Sequence, residues 1–439
     1  MKISRIHKRT NVRLGAAALC LALAFGQAGG LLTPGALAAA APAKETLTLE
    51  QVRDMARSRG SETLKAKADL AIAQASMEAA DVAVGDAWYS IQSGYSMLTA
   101  AQKAQEDAVN NPAPPPSLTN PDFGGVLSGL LTQITAATEI ATASQMIAIA
   151  EGTLIAAEMK LEDAQFGLDD AKATVESQME TAIYTGEELF FTYLQLNDAL
   201  AMMDKTIALS KDQIKIEELK AKLGMTTDTE VQKKQLSLTE LSDRRQSLVN
   251  AIDLTGRSLM RQIGKAEDTP FSLDPSFSVE GLKATYDPDE MAVLTVKNNL
   301  MLKTLDRAID KLKDALNLDF TYTQKNQYAA QADSLILSRD NAILGMKILA
   351  RTTASGLETA KTELSLLEKK IAEKQVAYDV MALQVTLGLA PKMGLAAVEL
   401  DLYSAQNDLK KARQDYYLSL RKAALLVKGV AITSAGAGR

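Results

Sequence analysis

The side chains that could carry acid–base chemistry in this chain are adjacent carboxylates, Asp169–Asp170 and Glu187–Glu188. Pairs of this kind are common on charged helix faces and do not by themselves specify general acid–base work. Nucleophilic and metal chemistry is closed off by composition. His7 and Cys20 are the only histidine and cysteine, and both lie in an N-terminal segment that reads as an export signal. Lys2, Arg5, Lys8, Arg9 and Arg13 form its basic region, and an apolar run from Leu14 to Phe25 follows, too short for a membrane span. Small-residue cleavage sites stand at Ala36-Leu37-Ala38 and Ala38-Ala39-Ala40. A chain processed there has no histidine triad, cysteine nucleophile, Cys/His zinc site or disulfide. Neither a phosphate-binding glycine loop nor a metal signature occurs. No enzymatic activity and no cofactor are therefore expected.

Charge narrows the partners further. Loss of the five basic residues of the leader takes the formal net charge from −6 to −11. An acidic surface is a poor match for nucleic acid or for an anionic membrane face. The remaining notable side chains read as parts of helices. Lys369-Lys370 and Lys410-Lys411 read as solvated faces, and Met202-Met203, Phe190, Phe191 and Tyr193 as core.

The elements that hold these residues are long helices. All eleven prolines lie outside 122–269 and 289–390, so two long stretches contain none of the strongest helix breaker. Leu364, Leu367, Ile371, Lys374, Tyr378, Met381 and Val385 recur at alternating steps of three and four, with Lys374 the single break. Leu395, Val398, Leu402, Ala405, Leu409, Ala412 and Tyr416 repeat the pattern. That is a heptad seam for helices packed side by side. From Thr323 to Leu387 the pattern predicts about 100 Å of helix, too long to bury itself without neighbours.

The chain also repeats itself. Leu223-Gly224-Met225 and Leu387-Gly388-Leu389 each end a long helical run and precede a second, at an offset of 164. The openings near Leu49 and Tyr286 correspond at an offset of 239, which pairs Val52 with Met291 and Met55 with Leu294. The expected organisation is a signal peptide at 1–40, a first helical repeat at 41–269 and a proline-rich insertion at 110–125 within it. A linker at 270–288, a second repeat at 289–430 and a tail at 431–439 complete it.

Taken together, the LTLEQVRDMA opening, the continuation from Ala71 and the two turns resemble the TolC-like outer-membrane efflux protein family, over about Leu47 to Gly429. The resemblance implies a mainly α, two-repeat bundle of very long antiparallel coiled-coil helices. It implies a homotrimer forming a hollow tube, a passive conduit for efflux or type I secretion. The implied partners are a periplasmic adaptor (membrane fusion) protein and an inner-membrane transporter, with no nucleic acid. The implied location is the cell envelope, at the outer membrane or periplasm. By the same resemblance, Leu223, Gly224, Met225, Leu387, Gly388 and Leu389 are adaptor-docking tips. Asp228 and Glu230 read either as helix-capping acids or as a ring at the tunnel mouth.

The sequence departs from the family at the barrel, which requires four strands of about ten residues per chain. Tyr89–Met97 alternates like a strand, yet Trp88, Ile91, Tyr95 and Leu98 also fit a helix. Leu316–Tyr322 is a second candidate, and no return strands are recognisable. The β-hairpins are thus expected to be reduced or absent. The apolar segment Phe123–Ile155 reads as the Ala-rich interior of the bundle, or as a surface for lipid, an adaptor or another subunit. A structural coiled-coil scaffold of the envelope that forms no conduit is the competing reading.

Overall fold

The computed structural model describes residues 45–111, 123–279, 282–283, 285–316 and 322–432. A short strand β1 (Glu45–Leu47) leads into α1 (Leu49–Arg59), α2 (Ser61–Asn110), the hundred-residue α3 (Phe123–Lys222) and α4 (Asp228–Gln262). Strand β2 (Phe271–Leu273) pairs in parallel with β1, Leu47 opposite Leu273. The second half runs α5 (Pro288–Asn298), α6 (Leu300–Leu316), α7 (Tyr322–Thr386) and α8 (Lys392–Val427). The fold is mainly α, built of long antiparallel helices, and no β-hairpin occurs among the described residues.

Local chemistry fixes the helix ends. Thr48 and Gln51 form a reciprocal capping box at the start of α1. Asp287 accepts from the backbone N–H groups of Asp289 and Glu290, with Pro288 in the first turn of α5. α1 and α5 break at Gly60 and Asn299, the same offset of 239 that aligns their starts. Each break receives the end of a returning helix. Gly264, just past α4, lies against the Arg59 backbone, and Gly429, just past α8, lies against that of Asn298. One joint is therefore built twice.

The core gathers at these joints. Leu47, Val52, Phe190, Phe191, Leu259, Met260, Ile263 and Tyr417 form one buried cluster, and Met291, Ala350, Leu357, Leu420 and Leu426 belong to a second. Helix α8 contributes to both, so it ties the two halves together. Phe191 packs edge-on against Phe190, Phe277 and Tyr417, an arrangement worth about 0.5–1.5 kcal/mol per pair beyond area burial. Away from this belt the α7/α8 seam is buried or half-buried along the expected heptad positions, and Lys374 bonds Asp401 of α8 at 3.2 Å.

Two strand candidates met different outcomes. Tyr89–Met97 lies inside α2 as helix. Ala87, Ile91, Gly94, Leu98 and Ala101 turn one face toward α3, and Ile147 fills the space beside Gly94. Trp88 and Tyr95 point away, so helical packing wins over strand alternation with a slightly rotated face. Of the second candidate, Leu316 ends α6 and Tyr322 begins α7, while 317–321 lie outside the described residues. The export signal, most of the proline-rich insertion and the end of the tail also lie outside them.

Candidate functional site

Two turns form the candidate site. After α3, the N–H of Gly224 bonds the Ala221 carbonyl and that of Met225 bonds the Lys220 carbonyl. After α7, Gly388 bonds Val385 and Leu389 bonds Gln384 in the same pattern. Both are Schellman ends, which need a left-handed residue after the helix. Gly224 and Gly388 supply it at φ 71° and 72°. A methyl group on either glycine would meet nothing within 4 Å, so backbone conformation alone calls for glycine there.

The apolar residues flanking these glycines are bare. Leu223 is 65% exposed, Met225 72%, Leu387 62% and Leu389 76%. In an isolated chain such side chains have nothing to bury against, and paired exposed apolar tips mark a contact surface better than scattered ones do. The return helices start differently: Thr227 caps α4 by accepting from the Glu230 N–H, while Pro391 precedes α8 without a side-chain cap. Asp228 and Glu230 occupy the first turn of α4, favourable for acids at a helix N-terminus. Glu230 also pairs with Lys233 at 2.9 Å. Thr227 is thus the cap, and the two acids stand in the first turn behind it, where negative charge is favourable.

Ion pairs set the two turns at the same end of the helices. Lys205 of α3 reaches Glu399 of α8 at 3.1 Å, and Lys410 reaches Asp198 at 3.3 Å. Helix α8 therefore runs antiparallel to α3, leaving its own turn as α3 enters the other.

A second polar constellation sits at the belt, and its members are far apart in sequence. The side chain of Glu187 is fully buried. Its Oε1 accepts from Arg53 Nε at 2.5 Å and from the Tyr417 hydroxyl at 3.0 Å, and its Oε2 accepts from Arg421 Nε at 3.1 Å. Glu180 adds contacts to Arg421 and Lys428 at 3.6 and 3.3 Å. Burial, reinforced by Glu187, pushes the Tyr417 hydroxyl well above its ordinary pKa. Burial alone would lower Arg421; its contacts with Glu187 outweigh that and raise it. One carboxylate thereby clamps α1, α3 and α8. Both carboxylate oxygens are engaged by donors and the side chain is fully buried, so the arrangement suits fastening rather than proton transfer. The sequence hint was only a Glu-Glu pair beside two phenylalanines.

Among the described residues no cluster of three or more metal-ligating side chains occurs.

No family model and no curated protein matches the sequence. Solved structures do. A membrane protein from Pseudomonas aeruginosa matches with a TM-score of 0.50 and 10% identity, over 87% of this chain and 90% of that one. The Campylobacter jejuni CmeC outer membrane channel matches at 0.49 and 8% identity, over 92% of each chain. The open state of the Neisseria gonorrhoeae MtrE outer membrane channel matches at 0.49 and 13% identity, over 87% of this chain and 89% of that one. The chain shares the fold of the Pseudomonas protein, and the likeness is one of fold alone.

Proposed function

We propose that this chain is a passive, TolC-like conduit subunit of an envelope efflux or type I secretion system. It would be exported and would assemble as a homotrimer whose long helices enclose a tunnel. The repeats at 41–269 and 289–430, joined by 270–288, would each supply one tip. The observation that carries the reading is the duplicated tip: two Schellman turns of the same geometry, at one end, each with two bare apolar side chains. Leu223, Gly224, Met225, Leu387, Gly388 and Leu389 would dock a periplasmic adaptor that recruits an inner-membrane transporter. Asp228 and Glu230 would lie beside the tunnel mouth. Driving energy would come from those partners, and the chain itself would be neither an enzyme nor a cofactor carrier.

The competing reading, a non-conduit coiled-coil scaffold, is favoured by one observation: α2 is helical where a barrel strand was a candidate. The mass and shape of the protein, with and without mild detergent, separate the two. A trimeric tube with single-channel conductance in planar bilayers supports the conduit. An elongated monomer without conductance overturns it.

A further inference from the structure

The α2/α3 hairpin carries two contrasting outer faces. Toward α2, α3 presents a narrow seam that includes Ala136, Ala143, Ile147, Ala150 and Ala157, all buried. Two positions earlier in each heptad, a second stripe runs from Leu127 through Leu131, Ile134, Ala141 and Ala148 to Ile155. Every residue on it is exposed and none is charged. At 1.5 Å per residue it is about 42 Å long, against about 30 Å of bilayer hydrocarbon. This part of α3 supplies an apolar window of mean hydropathy 1.4, only 22% of which is buried, so it is not the core helix of a globule.

The opposite face of the hairpin is polar. Along α2, Asp86, Ser93, Ser96, Lys103 and Asp107 all point outward. No salt bridge joins α2 to α3 among the described residues. The exposed apolar stripe of α7, by contrast, is interleaved with charge: Leu366 and Val376 alternate with Glu368, Lys369, Lys370 and Glu373. Flanking charges of that kind suit a helix partner in water. From Leu127 to Ile155 only Glu139 and Glu151 are charged, and neither is a residue of the stripe, a scarcity that suits hydrocarbon. Trp88 and Tyr89 stand where α2 passes from its charged to its uncharged part, as aromatic residues do at a bilayer interface.

We propose that the α2/α3 hairpin enters a lipid bilayer as helix, with the outer stripe of α3 against acyl chains and the polar face of α2 turned to water. All backbone groups of a helix are satisfied internally, so such a hairpin needs no barrel strands to enter hydrocarbon. The proposal deepens the conduit reading, since a water-facing α2 implies hairpins grouped around an aqueous space.

The test uses the full chain with Cys20→Ser and one new cysteine at a time, Ile134→Cys, Ile149→Cys, Ser96→Cys or Val376→Cys. Each is labelled with an environment-sensitive dye and reconstituted in phosphatidylcholine–phosphatidylglycerol vesicles. Doxyl-labelled lipid should quench most of the emission at 134 and 149, while aqueous iodide should quench at 96 and 376. Iodide quenching at 134 and 149, without lipid quenching, would overturn the proposal. Protection from both quenchers, together with cross-linking between copies at 134, would also overturn it and assign the stripe to a second copy. Lipid quenching by a protein that stays monomeric would support the bilayer contact and sink the conduit reading instead.

Discussion

Replacing Glu187 with glutamine keeps the shape of the side chain and removes the charge that two guanidinium groups share. The carboxylate is fully buried, Arg421 is 12% exposed and Arg53 31%. Removing one partner of a buried ion pair costs about 3–5 kcal/mol, because the other charge stays behind. Two features of this site soften that cost. Arg53 is exposed enough to turn toward water, and Arg421 keeps Glu180 at 3.6 Å. The expected loss is therefore about 2–4 kcal/mol, and it falls where α1, α3 and α8 meet. Amide hydrogen exchange reads that joint directly. Exchange in 185–195 and 415–425 should accelerate by about thirty- to seven-hundredfold, at tenfold per 1.4 kcal/mol. Lys205→Ala breaks an ion pair whose partners are 44% and 53% exposed, and it should change little, as surface pairs do. If Glu187→Gln exchanges within about threefold of the parent at the joint, it is no better than such a surface pair. This carboxylate would then not be what fastens the two halves.

Three further outcomes follow from the same geometry. Gly224→Ala or Gly388→Ala should cost about 1–2 kcal/mol, the penalty of a left-handed alanine in open space. Gly429→Ala should cost clearly more in the same thermal melts, because its methyl group would lie 2.2 Å from the Asn298 carbonyl oxygen. Burial pushes Tyr184 up to about 12, with Glu188 and Glu187 adding to it, and raises Tyr417 for the same leading reason. The folded state thus holds both phenolic protons longer than the unfolded chain, whose tyrosines titrate near 10. Stability should be flat below about pH 10 and fall as the pH rises toward about 12, followed by circular dichroism alongside phenolate absorbance. Met225→Ser and Leu389→Ser should shift stability by no more than about 0.5 kcal/mol, since both side chains are exposed. On the conduit reading they should nevertheless weaken adaptor capture in a pull-down.

Legibility in the sequence tracked the range of the interaction. The helix ends at Gly224 and Gly388 were readable because the Leu-Gly-apolar step is local and repeated, and the α7/α8 seam because a heptad is periodic. The clamp was not readable. Arg53 and Arg421 stand 134 and 234 residues from Glu187, and no local pattern announces that a carboxylate in a Glu-Glu pair will be the buried one. Tyr89–Met97 is ambiguous in the sequence for another reason. Alternation at two and recurrence at three or four overlap in so short a window, and the partner that decides, Ile147 against Gly94, lies beyond the intervening loop. By composition the segment Phe123–Ile155 is one apolar surface with one fate. It has two, an Ala-rich seam closed by α2 and a stripe left open, and composition averages them together.

That division of covered and bare surface runs through the whole bundle. The joints hold the buried aromatics, the clamp and both close glycine contacts, so the free energy that fixes the fold is concentrated there. Outward from them, the tips and the α2/α3 hairpin bury one face each and leave leucines, isoleucines and methionines in the open. A single chain gains little by ordering those ends, because apolar area stabilises only once it leaves water. Anything that covers them and binds only the folded chain adds its binding free energy to stability. The two ends are covered by different chemistry if the charges are a guide. The α7 stripe approaching its tip is interleaved with lysine and glutamate, whereas the α3 stripe from Leu127 to Ile155 is itself uncharged, with only Glu139 and Glu151 elsewhere in that span. Detergent should accordingly protect the hairpin against proteolysis and leave the tips as accessible as before. Equal protection at both ends would mean that charge pattern does not distinguish a bilayer from a protein partner here.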